Sequence, residues 1–458
     1  MAADWYPWAT DEWMVPSSAN STYDNFYWTY NSGAASPSFI LGGAHHSSVN
    51  VGTMNILGDF VMTYGPAYYL LAEGNFRSYA KGTLNIGGDA YIENGATLAG
   101  TGPIQSPTLE AVLNVNGTVY LKNGGKLSGG SSKGSTSTVN FDINQLMIGD
   151  KSTFITGNGP SGTFTFTGNF NNITVQSGGT FTAHNGSKGL KSTVVINNSL
   201  NLNSGSNLIN YSGLVVGSNR DNYVIVGNTV TFDHATVTEN MKFAQEQGTI
   251  NVAGDGYVFA DFTQTGGVFN NNGDVTFNGA NISTEGQLIN TGTISFNGTS
   301  VVNKLIEGTG TVNIIGGNFA TDHFESGTVN ILNGVATLNS LNKGVHHTMT
   351  GGELHTGINE IFGSLGVMGN GELNVITLGA TMQEDIRTTM TEFFKKYIPG
   401  FVKENLDQYA TFNGGKIVLK VGSLTETQVA DLTTAFKETF FVRFPKAFPQ
   451  LSALSLWA

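Results

Sequence analysis

A short phrase recurs along this chain and restricts its fold more than any other feature. The phrase is a glycine, then a small polar residue, then an apolar–polar–apolar triplet, as in Gly310-Thr-Val-Asn-Ile314. Successive phrases begin at Gly273, Gly292, Gly310 and Gly327. Short strands bounded by Gly or Asn and repeated every 17 to 20 residues or so are typical of a β-helix whose coils stack by parallel pairing.

The alternation inside each phrase assigns side chains to two faces. Val312 and Ile314 share parity and are expected to point into the core, whereas Thr311 and Asn313 are expected to face solvent. Outward Thr and Asn residues should then form ladders along the stack, with Asn313 beside Asn330. We therefore predict a right-handed parallel β-helix (β-solenoid) over residues 44–379, in coils of roughly 17 to 20 residues.

Asn-Gly pairs keep an antiparallel sandwich or barrel open as an alternative fold. Such pairs favour tight hairpins between antiparallel strands. In a β-helix, Gly and Asn would instead occupy corners, because both tolerate left-handed backbone conformations. The pairs occur at Asn94-Gly95, Asn116-Gly117, Asn185-Gly186, Asn278-Gly279, Asn297-Gly298 and Asn333-Gly334.

Composition excludes several classes of protein. Charged residues are only 12% of the chain, but hydrophobic residues are 39%, with 29 Phe and 15 Tyr, so the chain can bury a long core and is not a disordered polymer. The net charge is −12 and no Lys/Arg-rich patch occurs, which argues against nucleic acid as a partner. The absence of cysteine excludes disulfides and thiolate metal sites and is compatible with export.

The N-terminal segment, residues 1–43, is dense in aromatic residues. It is predicted to be an N-terminal cap or a docking segment for another subunit, because a solenoid must cover the strand edges at its ends. The first residues lack the basic and apolar regions of a signal peptide, and no apolar run is long enough for a transmembrane segment. A secreted form would therefore begin after cleavage. The candidate interaction residues in this segment are Trp5, Trp8, Trp13, Tyr27 and Trp28.

Helical periodicity begins near residue 380, so residues 380–458 are predicted to form a small C-terminal α/β subdomain. Thr381 and Glu384 form a capping-box pattern ahead of a helix that Pro399-Gly400 should end. Residues 416–421 are predicted to form a strand, and a second helix is expected from Thr425. Its apolar face supplies two further candidate interaction residues, Phe436 and Phe440.

The cysteine-free, Gly/Asn/Thr-rich coils resemble the passenger regions of Gram-negative autotransporters and related surface adhesins. The resemblance covers about residues 45–379, and residues 413–438 resemble a module of such large surface proteins. It implies a β-solenoid at the bacterial cell surface or outside the cell, acting as a stalk or adhesin that contacts a surface protein or a glycan. Autotransporters end in an outer-membrane barrel, whose pattern does not precede Ala458. The chain is therefore expected to be a fragment or to reach the surface another way.

Motifs for cofactors and metals are weak in this sequence. Residues 157–162 match the G-x-G-x-x-G pattern, but a predicted strand follows instead of a helix. Residues 130–134 match G-x-S-x-G within a Gly/Ser/Thr-rich stretch that is predicted to be a loop. The only histidine cluster is His346-His347 with His355, and adjacent residues in a strand point to opposite faces. We expect no cofactor and no metal.

Two alternatives to a structural or adhesive role remain. Head-to-tail docking of the terminal segments would make the chain a subunit of a self-assembling extracellular filament. A polysaccharide-degrading β-helix or tailspike would need two or three carboxylates close together on one face. Asp255 and Asp274 follow glycines at the heads of two phrases, with Asp261 nearby in sequence, and they are the candidate carboxylates; turn positions favour Asp in any case. The sequence favours a protein that is not an enzyme.

Overall fold

A computed structural model of the chain describes most of its residues. The described ranges are 13–14, 20–29, 38–42, 51–63, 67–71, 79–104, 108–132, 136–157, 162–238, 242–283, 285–303, 306–324, 328–341, 346–349, 351, 353–357, 364–367, 372–376, 391–392, 394–396, 398, 400–413 and 416–420.

The chain divides into two compact units, Met1–Gly254 and Asp255–Ala458. The first unit contains strands β1 (Trp13–Met14), β2 (Asn20–Tyr23), β3 (Phe26–Thr29), β4 (Ser38–Gly42), β5 (Val51–Ile56), β6 (Phe60–Thr63), β7 (Ala67–Leu71), β8 (Tyr79–Ile86), β9 (Ala90–Glu93), β10 (Thr97–Ile104), β11 (Thr108–Lys122), β12 (Lys126–Ser132), β13 (Thr136–Ile148), β14 (Thr153–Ile155), β15 (Thr163–Val175), β16 (Thr180–His184), β17 (Leu190–Leu202), β18 (Asn207–Asn210), β19 (Gly213–Val216), β20 (Val224–Val226), β21 (Thr229–Asp233), β22 (Thr236–Val237), β23 (Lys242–Gln245) and β24 (Thr249–Ala253).

The second unit contains strands β25 (Tyr257–Gln264), β26 (Val268–Asn271), β27 (Asp274–Ile282), β28 (Gln287–Asn290), β29 (Thr293–Asn297), β30 (Ser300–Val302), β31 (Ile306–Glu307), β32 (Thr311–Gly316), β33 (Asn318–Phe324), β34 (Thr328–Ile331), β35 (Val335–Leu341), β36 (His346–Met349), β37 (Glu353–Gly357), β38 (Ser364–Val367), β39 (Glu372–Ile376), β40 (Ala410–Asn413) and β41 (Lys416–Lys420). A 3-10 turn (Lys403–Asn405) leads into the short helix α1 (Leu406–Tyr409).

Parallel pairing between successive coils builds both units, and the predicted parallel β-helix is confirmed. In the first unit β5 pairs with β8, β8 with β11, and β11 with β13, all in parallel. Each coil gives two strand positions to the large sheet that these strands form, such as β8 and β9, which both pair with β11. The strand at the third position belongs to a separate nine-stranded sheet, called the third sheet below, in the order β1, β4, β7, β10, β12, β14, β16, β18, β22. The antiparallel alternative is wrong for the body of the fold: Asn94-Gly95, with φ angles of 53° and 83°, makes a corner between β9 and β10, which belong to different sheets, so no hairpin forms there.

The length of the coils differs between the units, and the predicted uniform period is wrong for the first. Asn side chains that are hydrogen-bonded between neighbouring coils are 17 to 19 residues apart in the second unit, as the phrase spacing indicates. In the first unit such partners are 26 to 30 residues apart. The coils of the first unit are longer because their strands are longer: β8 and β10 have eight residues each, whereas β28 and β29 in the second unit have four and five. The sequence does indicate the longer coil, because the glycine phrases at Gly52 and Gly82 lie in register on neighbouring coils.

The alternation of apolar and polar residues along the strands separates core side chains from outer ones, as predicted. Val312 and Ile314 in β32 are 3% and 0% exposed, while Thr311 and Asn313 are half-buried on the outer side. Phenylalanines at equivalent positions stack between coils, for example Phe277 on Phe296 with ring centroids 5.5 Å apart. Such stacking adds to the apolar burial that drives folding.

The predicted terminal segments are described only in part. In the N-terminal segment, β1, β2 and β3 pair in parallel with β4, β5 and β6, so these strands continue the rows of the solenoid. Residues 391–392 and 394–396 are helical, and β41 matches the predicted strand. β41 runs antiparallel to both β39 and β40, so a hairpin covers one edge of the last parallel strand. The predicted second helix lies outside the described residues.

One corner of the first unit is built from an interlock between an acidic side chain and a glycine. The Oδ1 atoms of Asn25, Asp59 and Asp89 each accept the backbone N–H of the equivalent residue in the next coil, at 2.7–2.9 Å. A side chain at Gly88 would meet Asp59 Oδ1, because a Cβ there would lie 2.4 Å from that atom. The residue before the corner is therefore glycine, because the Asp59 carboxylate of the previous coil fills the space that a side chain at position 88 would need.

The first unit also contains a strand out of sequence order. β20 lies between β17 and β19, so the chain passes back over the outside of the sheet between β19 and β20. The connecting residues 217–223 cover an apolar outer row, in which Val215, Ile225 and Ala244 are buried against Tyr223. Glu246 fastens this connection: its carboxylate accepts hydrogen bonds from Ser218 and from the Arg220 guanidinium. These bonds lower the pKa of Glu246, chiefly through Ser218.

Replacing Gly88 with alanine should destabilise the first unit by about 2–3 kcal/mol. The added Cβ would clash with Asp59 Oδ1 and with the backbone of Gly58, at 2.4 and 2.8 Å, and overpacking plus a lost charge-assisted hydrogen bond has this size. Urea denaturation followed by circular dichroism measures it. Asp59→Asn is the control, since it keeps the acceptor and should cost under about 1 kcal/mol. A Gly88→Ala protein as stable as the parent would contradict the interlock.

Replacing Glu246 with glutamine should loosen residues 217–223 at neutral pH by about 1 kcal/mol, a value reduced for partial exposure. The readout is faster backbone amide exchange confined to this connection. Because the folded-state pKa is lowered, the stabilisation is present above the ordinary glutamate pKa and is lost as the pH falls through the folded value. The parent should therefore approach the Glu246→Gln exchange rate in acid. Glu285→Gln, at an exposed position of the second unit, is the control and should leave amide exchange in residues 217–223 unchanged. If these amides exchange equally fast in Glu246→Gln and in the parent at neutral pH, Glu246 does not fasten the connection.

Candidate functional site

Ladders of asparagine cover much of the outer surface, and their amides are occupied with one another. Asn85 Nδ2 donates to Asn55 Oδ1 at 2.8 Å, and Asn114 Nδ2 donates to Asn85 Oδ1 at 2.7 Å. The predicted ladder is present in the second unit, where Asn330 Nδ2 donates to Asn313 Oδ1 at 2.9 Å. Each amide thus pairs with its counterpart in the next coil, which stiffens the outer surface and uses part of the hydrogen-bonding capacity of these side chains.

A row of larger side chains follows the second strand position of the first unit. Tyr91 and Tyr120 stack with centroids 5.1 Å apart and planes within 10°. Lys122 Nζ lies 5.2 and 5.1 Å from the two centroids and 3.3 Å from Glu93. Burial raises the pKa of Tyr91, and the Asp89 carboxylate adds to the shift because it disfavours a phenolate beside it. The charged groups and rings of this row are engaged with each other.

A groove of about 590 Å³ lies on the third sheet of the first unit, across β16, β18 and the segment that begins at β22. Its lining contains no charged residue among those that the structure describes. Tyr211 forms one wall and is 61% exposed, the most exposed large hydrophobic residue of the described chain. The lining residues are Thr180, Asn207, Leu208, Ile209, Tyr211, Thr236, Val237 and Thr238.

Two rows of side chains cross in this groove at Asn207. Thr180, Asn207 and Thr236 are aligned in successive coils, about 4.8 Å apart. Along the chain, Ile209 and Tyr211 follow Asn207 at alternate positions. The backbone N–H of Tyr211 donates to the carbonyl of His184 at 3.0 Å, which fixes the start of the wall on the preceding coil.

The polar row of the groove differs from the asparagine ladders because it is not engaged. The side chains of Thr180, Asn207 and Thr236 make no hydrogen bond with any residue in the described ranges. Thr238, by contrast, serves the fold: its hydroxyl accepts the N–H of Asn210 at 2.9 Å and donates to the carbonyl of Leu208 at 3.3 Å. Three unengaged hydrogen-bonding side chains beside an exposed aromatic ring form the described surface best suited to a ligand.

The carboxylates considered for catalysis do not converge. Tyr257 is in register with Val275, so Asp274 stands beside Gly256 and next to Asp255 on the neighbouring coil. Asp261 lies about 13 Å beyond Tyr257 along β25. It is exposed, with φ +51°. Of the three candidate carboxylates, Asp255 and Asp274 therefore lie at the same coil corner, and Asp261 lies away from them.

The two glycine motifs and the histidine cluster lie in or next to strands. The described part of the G-x-G-x-x-G segment precedes β15, a strand as predicted. The expected loop at the G-x-S-x-G match is wrong for residues 130–132, which belong to β12, because the strand pairs with β10 up to Ser132. His346 and His347 lie in β36, and His355 lies in β37. The described residues contain no group of three or more His, Asp or Glu that could hold a metal ion.

Of the candidate interaction residues, Trp13, Tyr27 and Trp28 lie in described strands. Trp13 lies in β1 of the third sheet, and Tyr27 and Trp28 lie in β3. Tyr27 is half-buried and aligned with Val61. Trp5, Trp8, Phe436 and Phe440 lie outside the described residues, so their role stays a prediction.

Sequence reasoning missed the groove. Its only signal is Tyr211, a single aromatic residue between Asn210 and Ser212, where a turn is expected. No helix of the described chain is long and apolar enough to cross a membrane. A comparison of the chain with protein-family models, with curated proteins and with solved structures finds no match.

Proposed function

We propose that this protein is a β-solenoid of the cell surface or extracellular space with a structural and adhesive role, as a stalk or an adhesin. The observation that carries the proposal is the outer surface. The described asparagine ladders are closed by hydrogen bonds between coils, whereas the groove around Tyr211 presents polar side chains that are not engaged in this way. A stiff, weakly charged scaffold with a receptive groove suits contact with another surface better than catalysis.

Composition supports the location. The absence of cysteine suits an exported chain because no thiol can form a wrong disulfide, and the low content of charged residues, 12%, limits the effect of salt on the surface. Ion pairs contribute little to the described surface: Lys81–Glu110 and Lys122–Glu93 are isolated pairs between neighbouring coils. Stability rests instead on backbone pairing and apolar stacking, which hold across external conditions.

Display of the chain on a non-adherent laboratory bacterium tests the adhesive role. Retention of the cells on epithelial monolayers, or settling of the cells by mutual adhesion, should rise at least about tenfold over cells that display an unrelated folded domain on the same anchor. If neither rises, the adhesive role is refuted. Sedimentation velocity of the purified chain separates the filament alternative, which requires particles that grow with concentration; a constant monomer contradicts that alternative.

A further inference from the structure

We infer that the groove on the third sheet, around Tyr211, Asn207 and Thr236, binds a neutral oligosaccharide. This inference rests on the proposed adhesive function and names the chemical class of its ligand. It assigns Tyr211 as the stacking platform for a sugar ring, and Thr180, Asn207 and Thr236 as hydrogen-bonding partners of sugar hydroxyls.

The chemistry of the lining selects the ligand class. A sugar hydroxyl both donates and accepts hydrogen bonds, and so do the Thr hydroxyl and the Asn amide. A neutral polyol can therefore pair with each member of the row without leaving a charge or a donor unsatisfied. No described lining residue is a cation, and the chain carries a net charge of −12, so an acidic glycan would meet repulsion without a compensating ion pair.

The geometry suits a chain of sugar rings. Thr180, Asn207 and Thr236 repeat at the coil spacing of about 4.8 Å, which is close to the length of one hexose unit. The volume of about 590 Å³ is in the range of pockets for small ligands and has room for a short oligosaccharide. The apolar side of a pyranose ring can lie on the ring of Tyr211, which removes apolar surface of both partners from water.

Tyr211 is available for this role because the fold does not need its ring. The side chain is 61% exposed, and it meets the previous coil near Gly186, where an added Cβ would lie 3.7 Å from the ring. The tyrosines of the other row, Tyr91 and Tyr120, are stacked on each other instead. Their ring faces are thus already covered, and they offer the matched control for an aromatic residue outside the groove.

The experiment is titration of the purified chain with four neutral trisaccharides, cellotriose, maltotriose, mannotriose and chitotriose, by saturation-transfer NMR and calorimetry. At least one should bind with a Kd of about 1 mM or tighter. Trigalacturonate should bind at least about tenfold more weakly. Affinity for the neutral sugar should be equal at about 0.05 and 0.5 M NaCl, because no ion pair contributes.

Variants locate the binding. Tyr211→Ala should weaken binding at least about tenfold, and Tyr211→Phe should retain it, because only the ring face is required. Asn207→Ala should weaken binding by about threefold to tenfold, and Tyr120→Ala should leave it unchanged. All variants are checked for the parental thermal transition.

Two results overturn the inference: none of the four trisaccharides binds, or binding survives in Tyr211→Ala. A protein that adheres when displayed but binds no neutral trisaccharide refutes the glycan groove and leaves the adhesive function standing. A protein that binds the sugar through Tyr211 but does not adhere refutes the adhesive function and leaves the groove.

Discussion

Backbone pairing in register between parallel coils is the constraint on which the rest of this structure depends. Each residue of a coil has as its lateral neighbours the equivalent residues of the adjacent coils, about 4.8 Å away. Every position must therefore tolerate contact with its own kind. Asn forms hydrogen-bonded ladders, as at Asn55 and Asn85, and Phe forms stacks, as at Phe277 and Phe296. At the corner of the first unit, Asp59 and Asp89 are equivalent residues of successive coils, and the Asp59 carboxylate fits there because Gly88 in the next coil has no side chain.

Two places in the first unit depart from this contact between equivalent residues. At the crossing near β19 and β20, an apolar outer row is covered by a loop and fastened through Glu246. In the groove, the polar row is left open, and Tyr211 is exposed directly after the end of β18. The first departure is closed by the chain itself, whereas the second is not. That contrast is the physical ground for placing a ligand at the groove.

Local pattern predicted the part of the fold that local chemistry controls. The alternation in Gly310-Thr-Val-Asn-Ile314 gave the buried and exposed faces and the partnership of Asn313 with Asn330, because strand geometry alone determines them. The coil length of the first unit was not predicted, because its strands are longer than the five-residue glycine phrase, as in β8 and β10 with eight residues each. The position of the out-of-order strand β20 could not be predicted from local pattern, because it depends on pairing with β17, far away in sequence. Tyr211 escaped because exposure of one side chain is a tertiary property.

Engineered disulfides test the central claim, in-register parallel stacking, most directly, because the chain contains no cysteine of its own. Asn85 and Asn114 are in register on neighbouring coils, at a spacing that a disulfide can bridge, whereas Asn85 and Val112 are two residues out of register, beyond the bridging limit of about 7 Å. The measurement is intact mass and peptide mapping after mild oxidation of Asn85→Cys/Asn114→Cys and of Asn85→Cys/Val112→Cys. The account predicts a near-complete intramolecular disulfide in the first protein and almost none in the second. A crosslink that favours the second pair, or that forms in neither, would contradict it.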